Sequence, residues 1–133
     1  MENDPLAKFI SNDINAANRK KLADFLTIFL GKIDPNTGEF EFLPAFYSLA
    51  GNIEKIEISL VAAKARALIT KNPDGMLPSE LIALDIMPVG STKTAIRTLC
   101  EDKKIKKESG GRYIIPNYRI DDLISTYNEK NTK

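Results

Sequence analysis

The chain has 133 residues with a formal net charge of +1, and 43% of its residues are hydrophobic. Its one cysteine, Cys100, excludes an internal disulfide and a cysteine zinc site, and the absence of histidine excludes Ser-His-Asp, Cys-His and histidine-metal sites. No apolar run approaches the roughly 18 residues of a membrane span. We therefore expect a cytoplasmic protein with no catalytic residues, no metal, no cofactor and no membrane partner.

The N-terminal region predicts two helices. Proline is tolerated at a first helical position, so a short helix is expected from Pro5. In residues 16–30 the apolar residues Leu22, Phe25, Leu26 and Phe29 are spaced i, i+3, i+4 and i+7, which is the pattern of one apolar helical face. Gly31 stands where a glycine often ends a helix. Ile28 and Leu30 leave apolar surface outside this face, which favours a dimer seam.

Turn residues separate this helix from a predicted strand. Aspartate, proline, asparagine and glycine dominate residues 34–38, a composition typical of a tight turn. Phe40 and Phe42 then alternate with Glu39 and Glu41, which is the period of a half-buried strand. We expect the two glutamates to face solvent rather than to form a carboxylate pair for acid–base chemistry.

A long helix is predicted next. Asn52 is a suitable N-cap, and apolar residues follow it at helical spacing, namely Ile58, Val61, Ala62, Ala65, Leu68 and Ile69. Pro78 opens a further short helix at its first position, although Leu77 before it provides no side-chain cap. Residues 87–90 predict a turn, because Pro88 cannot continue the helix and Gly90 permits an unusual φ.

The segment after this turn predicts another helix, with a polar exposed face. Ser91 can cap it, and its inward positions are Ala95, Ile96, Leu99 and Cys100. Hydroxyl and basic side chains suited to phosphates and base edges are Ser91, Thr92, Lys93, Thr94, Arg97 and Thr98. Among them Arg97 is suited to bidentate recognition of guanine or of phosphate.

A basic β-hairpin is predicted from residue 104 onward. Two short strands, 104–108 and 112–116, flank a connection that contains two glycines, which is a hairpin signal. Its candidate DNA contacts are Lys104, Lys106, Lys107, Gly110, Gly111 and Arg112. Residues 117–127 predict a final helix, packed on the N-terminal part or on a second subunit, and a polar tail follows.

Charge is concentrated in residues 88–119. This window holds eight basic and three acidic residues, a net charge of +5, so the rest of the chain carries −4 against the total of +1. Positive charge on one supersecondary unit is the electrostatic footprint of a phosphate-binding surface. A solvated lysine face is the alternative interpretation.

Two helices joined by a short turn and followed by a basic hairpin resemble a winged helix-turn-helix domain. The resemblance spans residues 58–116 and rests on Gly90-Ser91, on the packing position Leu99, and on Gly110-Gly111 before residues 113–118. The layout from Leu22 onward is also similar to uncharacterised archaeal winged-helix proteins, which share the turn at residues 33–38. The resemblance implies a recognition helix in the DNA major groove and a wing on the backbone.

We therefore predict a mostly helical α+β fold, a winged helix-turn-helix with an N-terminal helical and β-turn extension. Residues 1–52 would form the extension and a candidate dimerisation or partner-binding region, residues 53–118 the winged unit, and residues 119–133 the C-terminal helix and tail. The predicted function is double-stranded DNA binding by a homodimer, as a nucleoid-associated transcriptional regulator or small chromatin protein. The alternative is a protein-interaction module within a larger assembly, without DNA binding.

Overall fold

The structure, a computed structural model, describes residues 16–131. Within this range the chain forms six helices and two two-stranded antiparallel sheets, so the predicted mostly helical α+β class is confirmed. In chain order the elements are α1 (Ala16–Leu26), β1 (Leu30–Ile33), β2 (Phe40–Phe42), α2 (Pro44–Tyr47), α3 (Asn52–Ile69), α4 (Pro78–Ala83), α5 (Val89–Glu101), β3 (Lys106–Lys107), β4 (Tyr113–Ile114) and α6 (Asn117–Asn131). The helix predicted from Pro5 lies outside the described residues.

The first helix ends earlier than its apolar period predicts. α1 stops at Leu26, and Leu30 and Gly31 belong to strand β1, so Gly31 is not the residue that ends the helix. The backbone N–H of Leu43 donates to the carbonyl of Phe29 at 2.7 Å, and Leu30 pairs with Phe42. Pairing with β2 therefore draws this segment out of the helix, while Phe29 still reaches the core.

Strands β1 and β2 form a hairpin that we call the aromatic hairpin, residues 30–42. The predicted turn is confirmed: the Asp34 carboxylate accepts the backbone N–H groups of Asn36 at 2.8 Å and Thr37 at 3.2 Å. These two hydrogen bonds hold the pKa of Asp34 below its usual value. The predicted strand is confirmed as well, with Phe40 and Phe42 half-buried and Glu41 exposed.

Helix α3 lies at the centre of the core. Ile58, Val61 and Ala62 are fully buried as predicted, but Ile69 at the end of the helix is 67% exposed. Asn52 is the first helical residue rather than the cap, because Gly51 holds the cap position and no side chain caps the helix. The core that surrounds α3 draws on most elements, with Phe29, Phe46, Leu60, Leu81, Leu99, Ile115 and Leu123 among its members.

The turn between α4 and α5 lies earlier than predicted. Pro78 opens α4 as expected, and the helix ends at Ala83. The left-handed residue is Asp85, with a φ of 55°, and α5 already begins at Val89 after Pro88. Gly90 therefore lies inside the helix, and Ser91 is not its cap. Pro88 has no N–H to donate, so it suits a position just before a helix.

Strands β3 and β4 form the second hairpin, which we call the basic hairpin, residues 106–114. Both strands are shorter than predicted, and Lys106 pairs with Ile114. A single antiparallel bridge joins Met76, which precedes α4, to Tyr113. This bridge needs the glycine before it, because a Cβ on Gly75 would lie 2.4 Å from the carbonyl oxygen of Tyr113.

Helix α6 packs back on the same chain. Ile120 and Leu123 are buried, and the ring of Tyr127 meets those of Phe25 and Phe29 edge-on at 5.4 and 5.2 Å. The helix continues to Asn131, so part of the predicted polar tail is helical.

An ion pair also fixes α6 against α3. The Arg119 Nε donates to the Glu57 carboxylate at 2.6 Å, and Glu57 is only 2% exposed. This hydrogen bond raises the pKa of Arg119.

Candidate nucleic-acid interface

Helix α5 presents its predicted polar face to solvent. Lys93, Thr94 and Arg97 are exposed, while Ser91 and Thr98 are half-buried. Ala95, Ile96 and Leu99 are buried on the opposite side, so the helical period of the sequence sets the orientation of the face. Lys93 and Arg97 are four residues apart and neighbours on the helix surface.

Thr92 lies away from this face. Its side chain is 1% exposed, and its hydroxyl donates to the carbonyl of Pro88 at 3.3 Å. The position follows from the helix geometry, because Thr92 falls on the same side as Ala95, Ile96 and Leu99. A contact from the Thr92 hydroxyl to DNA, as the sequence predicted, does not fit this placement.

The hydroxyl groups of Ser91, Thr94 and Thr98 follow one edge of α5. They line an open groove of about 730 Å³ that the N-terminal end of α3 closes on the other side. The basic side chains Lys93 and Arg97 do not line this groove, and they occupy the other part of the exposed face. The two predicted sets of α5 contacts, hydroxyl and basic, therefore form separate strips.

The basic hairpin brings the positive charge of Lys107 close to α5. Burial raises the pKa of the Cys100 thiol, and the positive charge of the nearby Lys107 opposes part of this rise. Cys100 is three residues from Arg97 and so borders it on the helix surface. Lys106, Lys107 and Gly110 are exposed, whereas Lys104 and Gly111 are half-buried.

Arg112 has partners within the chain. Its Nη1 donates to the carbonyl of Gly75 and to Oε1 of Glu80, both at 3.0 Å, and the side chain is 24% exposed. The ion pair joins the base of the basic hairpin to α4. Arg112 is thus placed to hold the hairpin, and a phosphate would have to compete with Glu80 for it.

Six basic side chains of the window remain without an ion pair to any residue in the range 16–131. Arg112 and Arg119 pair with Glu80 and Glu57, which leaves Lys93, Arg97, Lys103, Lys104, Lys106 and Lys107. These six side chains come from α5, from the loop that follows it and from strand β3. The positive charge without ion pairs to described residues therefore comes from residues 93–107.

Two residues outside the predicted set organise the surface. Oε1 of Glu80 accepts the N–H of Leu77 at 2.9 Å, so a glutamate three residues on holds the start of α4 in place of a Leu77 side-chain cap. Glutamate at that spacing is half of a capping box, a signal readable in the sequence. Lys103, with a φ of 60°, lies two residues after the end of α5, and its carbonyl accepts the Tyr118 hydroxyl at 2.7 Å.

Comparison with family models, with curated proteins and with solved structures finds no match to this chain. Within residues 16–131 no group of three or more cysteine, aspartate or glutamate side chains is placed to hold a metal ion. No helix in the same range combines the length and the apolar character that crossing a bilayer requires.

Proposed function

We propose that this chain binds duplex DNA, with α5 in the major groove and the basic hairpin on the phosphate backbone. The observation that carries the proposal is the cluster of exposed basic side chains, without ion pairs to described residues, on two adjacent elements: Lys93 and Arg97 on α5, and Lys106 and Lys107 on β3. Such a cluster on an otherwise acidic chain is expected to attract a polyanion.

The order of the elements supports a winged helix-turn-helix assignment, which is part of the proposal. Helix α3 is followed by the Met76 bridge, by α4 and α5 with a short turn between them, and by the basic hairpin. In helix-turn-helix proteins the second helix of the pair enters the major groove. Here that helix is α5, whose exposed face contains Arg97.

Arg97 is the proposed base-reading residue. Its guanidinium can present two parallel N–H groups to guanine O6 and N7, a contact worth about 1–3 kcal/mol of discrimination. The lysines of the basic hairpin are point charges suited to phosphates, which carry no sequence information. The two elements therefore have separate expected roles.

Fluorescence anisotropy with Arg97→Ala and Lys107→Ala tests the proposal. Arg97→Ala should weaken a preferred duplex by the equivalent of about 1–3 kcal/mol and flatten the preference at one base pair. Lys107→Ala should weaken all duplexes alike and reduce the salt slope by about one. Lys21→Ala, an exposed lysine on α1, is the matched control and should change neither quantity.

Two outcomes contradict parts of the proposal. Equal weakening of every duplex by Arg97→Ala and Lys107→Ala would make the protein a nonspecific binder and remove the base-reading role of Arg97. Unchanged binding in both variants would exclude this surface. If binding holds, the chain acts as a transcriptional regulator or a small chromatin protein, with the nucleoid as its expected location.

A second candidate function is protein interaction, and an apolar groove between α1 and α3 favours it. The groove has a volume of about 280 Å³, and its lining includes Leu22, Leu26, Ala65, Leu68 and the exposed Ile69. A homodimer through this groove is the simplest form, and a two-fold dimer could set recognition helices about 34 Å apart. The apolar face of α6 does not contribute, because Ile120 and Leu123 are buried within the chain and Tyr127 packs on Phe25 and Phe29.

Light scattering tests the dimer. A two-fold assembly should give twice the 14.8 kDa of one chain at micromolar concentration, and Ile69→Lys should return it to one chain. A wild-type mass of 14.8 kDa at high concentration would exclude the dimer.

A further inference from the structure

A second cavity lies between the turn of the aromatic hairpin, α3 and α4. Its volume is about 380 Å³. The walls comprise apolar groups, among them Phe40, Met76 and Leu84, together with Arg66 of α3 and the carboxylates of Glu39 and Glu80. A space of this size fits a small organic molecule rather than a water.

Arg66 is the unusual member of this lining, because it is a cation that is only 9% exposed. Its Nη1 donates to the carbonyl of Gly38 at 2.7 Å, and its guanidinium lies 4.7 Å from the centroid of the Phe40 ring. Its Nε is shielded from solvent and has no hydrogen-bond partner among the residues the structure describes. Burial lowers the pKa of Arg66, and the negative charge of Glu80 opposes part of this change.

The charge of Glu80 stabilises this guanidinium, but Glu80 forms no hydrogen bond with it. Glu80 lines the cavity, but its carboxylate already accepts hydrogen bonds from Arg112 and from the backbone N–H of Leu77. Arg66 makes no ion pair with a residue in the range 16–131. A buried N–H group without a partner is destabilising, so an acceptor from outside would be favoured at Nε.

The unused donors set the chemistry of that partner. Because Gly38 takes Nη1, the edge formed by Nε and Nη2 remains, and its two parallel N–H groups match the two oxygens of a carboxylate. The hydrocarbon part of such a ligand would lie against the ring of Phe40 and the side chains of Met76 and Leu84. A small rearrangement of the lining is needed for the shielded Nε to reach the ligand.

We propose that this cavity binds a small apolar carboxylic acid through Arg66. The inference does not depend on the proposed DNA binding, because it concerns different residues and is tested without nucleic acid.

Titration with hexanoate, followed by two-dimensional NMR, tests the proposal, and neutral hexanamide at matched ionic strength is the control ligand. Hexanoate should give saturable shifts at the amides of Gly38, Ala83 and Leu84, and hexanamide should bind at least about tenfold more weakly, because it lacks the charge-assisted pair. Equal binding of the two ligands, or no shifts with hexanoate at millimolar concentration, would overturn the proposal.

Two variants locate the site. Arg66→Gln should abolish the preference for hexanoate over hexanamide. Ala83→Phe leaves Arg66 in place and fills the mouth of the cavity from the exposed surface of α4, so it should also abolish hexanoate binding, even if Arg66→Gln fails to fold. Ala45→Phe, an exposed alanine on α2, is the matched control and should bind like the wild type. Undiminished hexanoate binding in folded Ala83→Phe would contradict the assignment to this cavity.

Discussion

The two hairpins of this protein have the same antiparallel form and opposite surroundings. In the aromatic hairpin, Phe42 stacks on the buried Phe46 of α2 with ring centroids 3.9 Å apart. In the basic hairpin, strand β3 consists of Lys106 and Lys107, and both are exposed. One hairpin is thus part of the core, and the other presents charge to solvent.

A similar contact fixes each hairpin in place. An arginine of α3, Arg66, donates to the carbonyl of Gly38 in the turn of the aromatic hairpin at 2.7 Å. Arg112 of the basic hairpin donates to the carbonyl of Gly75 at 3.0 Å and pairs with Glu80. The backbone pattern alone therefore does not assign a role to a hairpin. The role depends on whether the side chains between the anchoring contacts are aromatic or charged.

Of these variants, Phe46→Ala should lower the free energy of unfolding the most. Phe46 is fully buried and stacked on Phe42, and removing a buried phenylalanine costs about 3–5 kcal/mol of unfolding free energy. Chemical denaturation measures this loss. Under conditions where the variant is folded, DNA binding should be unchanged, and a loss of binding there would show that the two hairpins are not independent.

Gly75→Ala should act on the basic hairpin from its base. Gly75 has a φ of +79°, and an added Cβ would lie 2.4 Å from the carbonyl oxygen of Tyr113. Strain of this kind costs about 1–3 kcal/mol, and the bridge between Met76 and Tyr113 should open. Hydrogen exchange of the Tyr113 amide, whose N–H donates to Met76, measures the opening. Unchanged protection would mean that the bridge does not hold the hairpin.

The turn of the basic hairpin offers a matched pair of smaller substitutions. Gly111 has a φ of +86°, so Gly111→Ala should destabilise the chain by about 1–2 kcal/mol. A Cβ on the adjacent Gly110 meets no atom within 4 Å, so Gly110→Ala should leave the unfolding free energy within about 0.5 kcal/mol of the wild type. Equal effects in thermal denaturation would contradict the turn geometry.

Local signals explain why much of the fold follows from the sequence. The turn at residues 34–38, the alternating strand of Phe40 and Phe42, the apolar face of α3 and the start of α4 at Pro78 each depend on neighbouring residues. The orientation of Lys93 and Arg97 on α5 follows equally from helical spacing.

The wrong predictions concern places where contacts between residues distant in the sequence decide the structure. The period of residues 16–30 continues through Phe29, and only pairing with β2 converts Leu30 into a strand residue. Aspartate tolerates the left-handed conformation of Asp85, but Pro88 and Gly90 are the stronger turn residues and place the predicted turn at residues 87–90.

Arg112 pairs with Glu80, which is 32 residues away in the sequence. Arg66 donates to the carbonyl of Gly38, which is 28 residues away. No spacing rule reveals such contacts. The sequence therefore located the basic surface but not which of its arginines is already paired.

Lys106→Gln combined with Lys107→Gln should have the smallest effect on stability and a clear effect on binding. Both side chains are exposed and without ion pairs to described residues, so the unfolding free energy should stay within about 0.5 kcal/mol of the wild type. The salt slope of DNA binding should fall by about two. A larger loss of unfolding free energy would show that these lysines stabilise the fold, as the phenylalanines of the aromatic hairpin do.

The salt dependence of duplex DNA binding by the wild-type chain tests the central claim most directly. Four to six neutralised phosphates, as expected from the exposed basic side chains of α5 and the basic hairpin, give a slope of log K against log salt of about −4 to −5. Anisotropy titration of a random duplex at several salt concentrations measures this slope. A slope in that range supports the nucleic-acid surface, and the absence of duplex affinity even at low salt would contradict it.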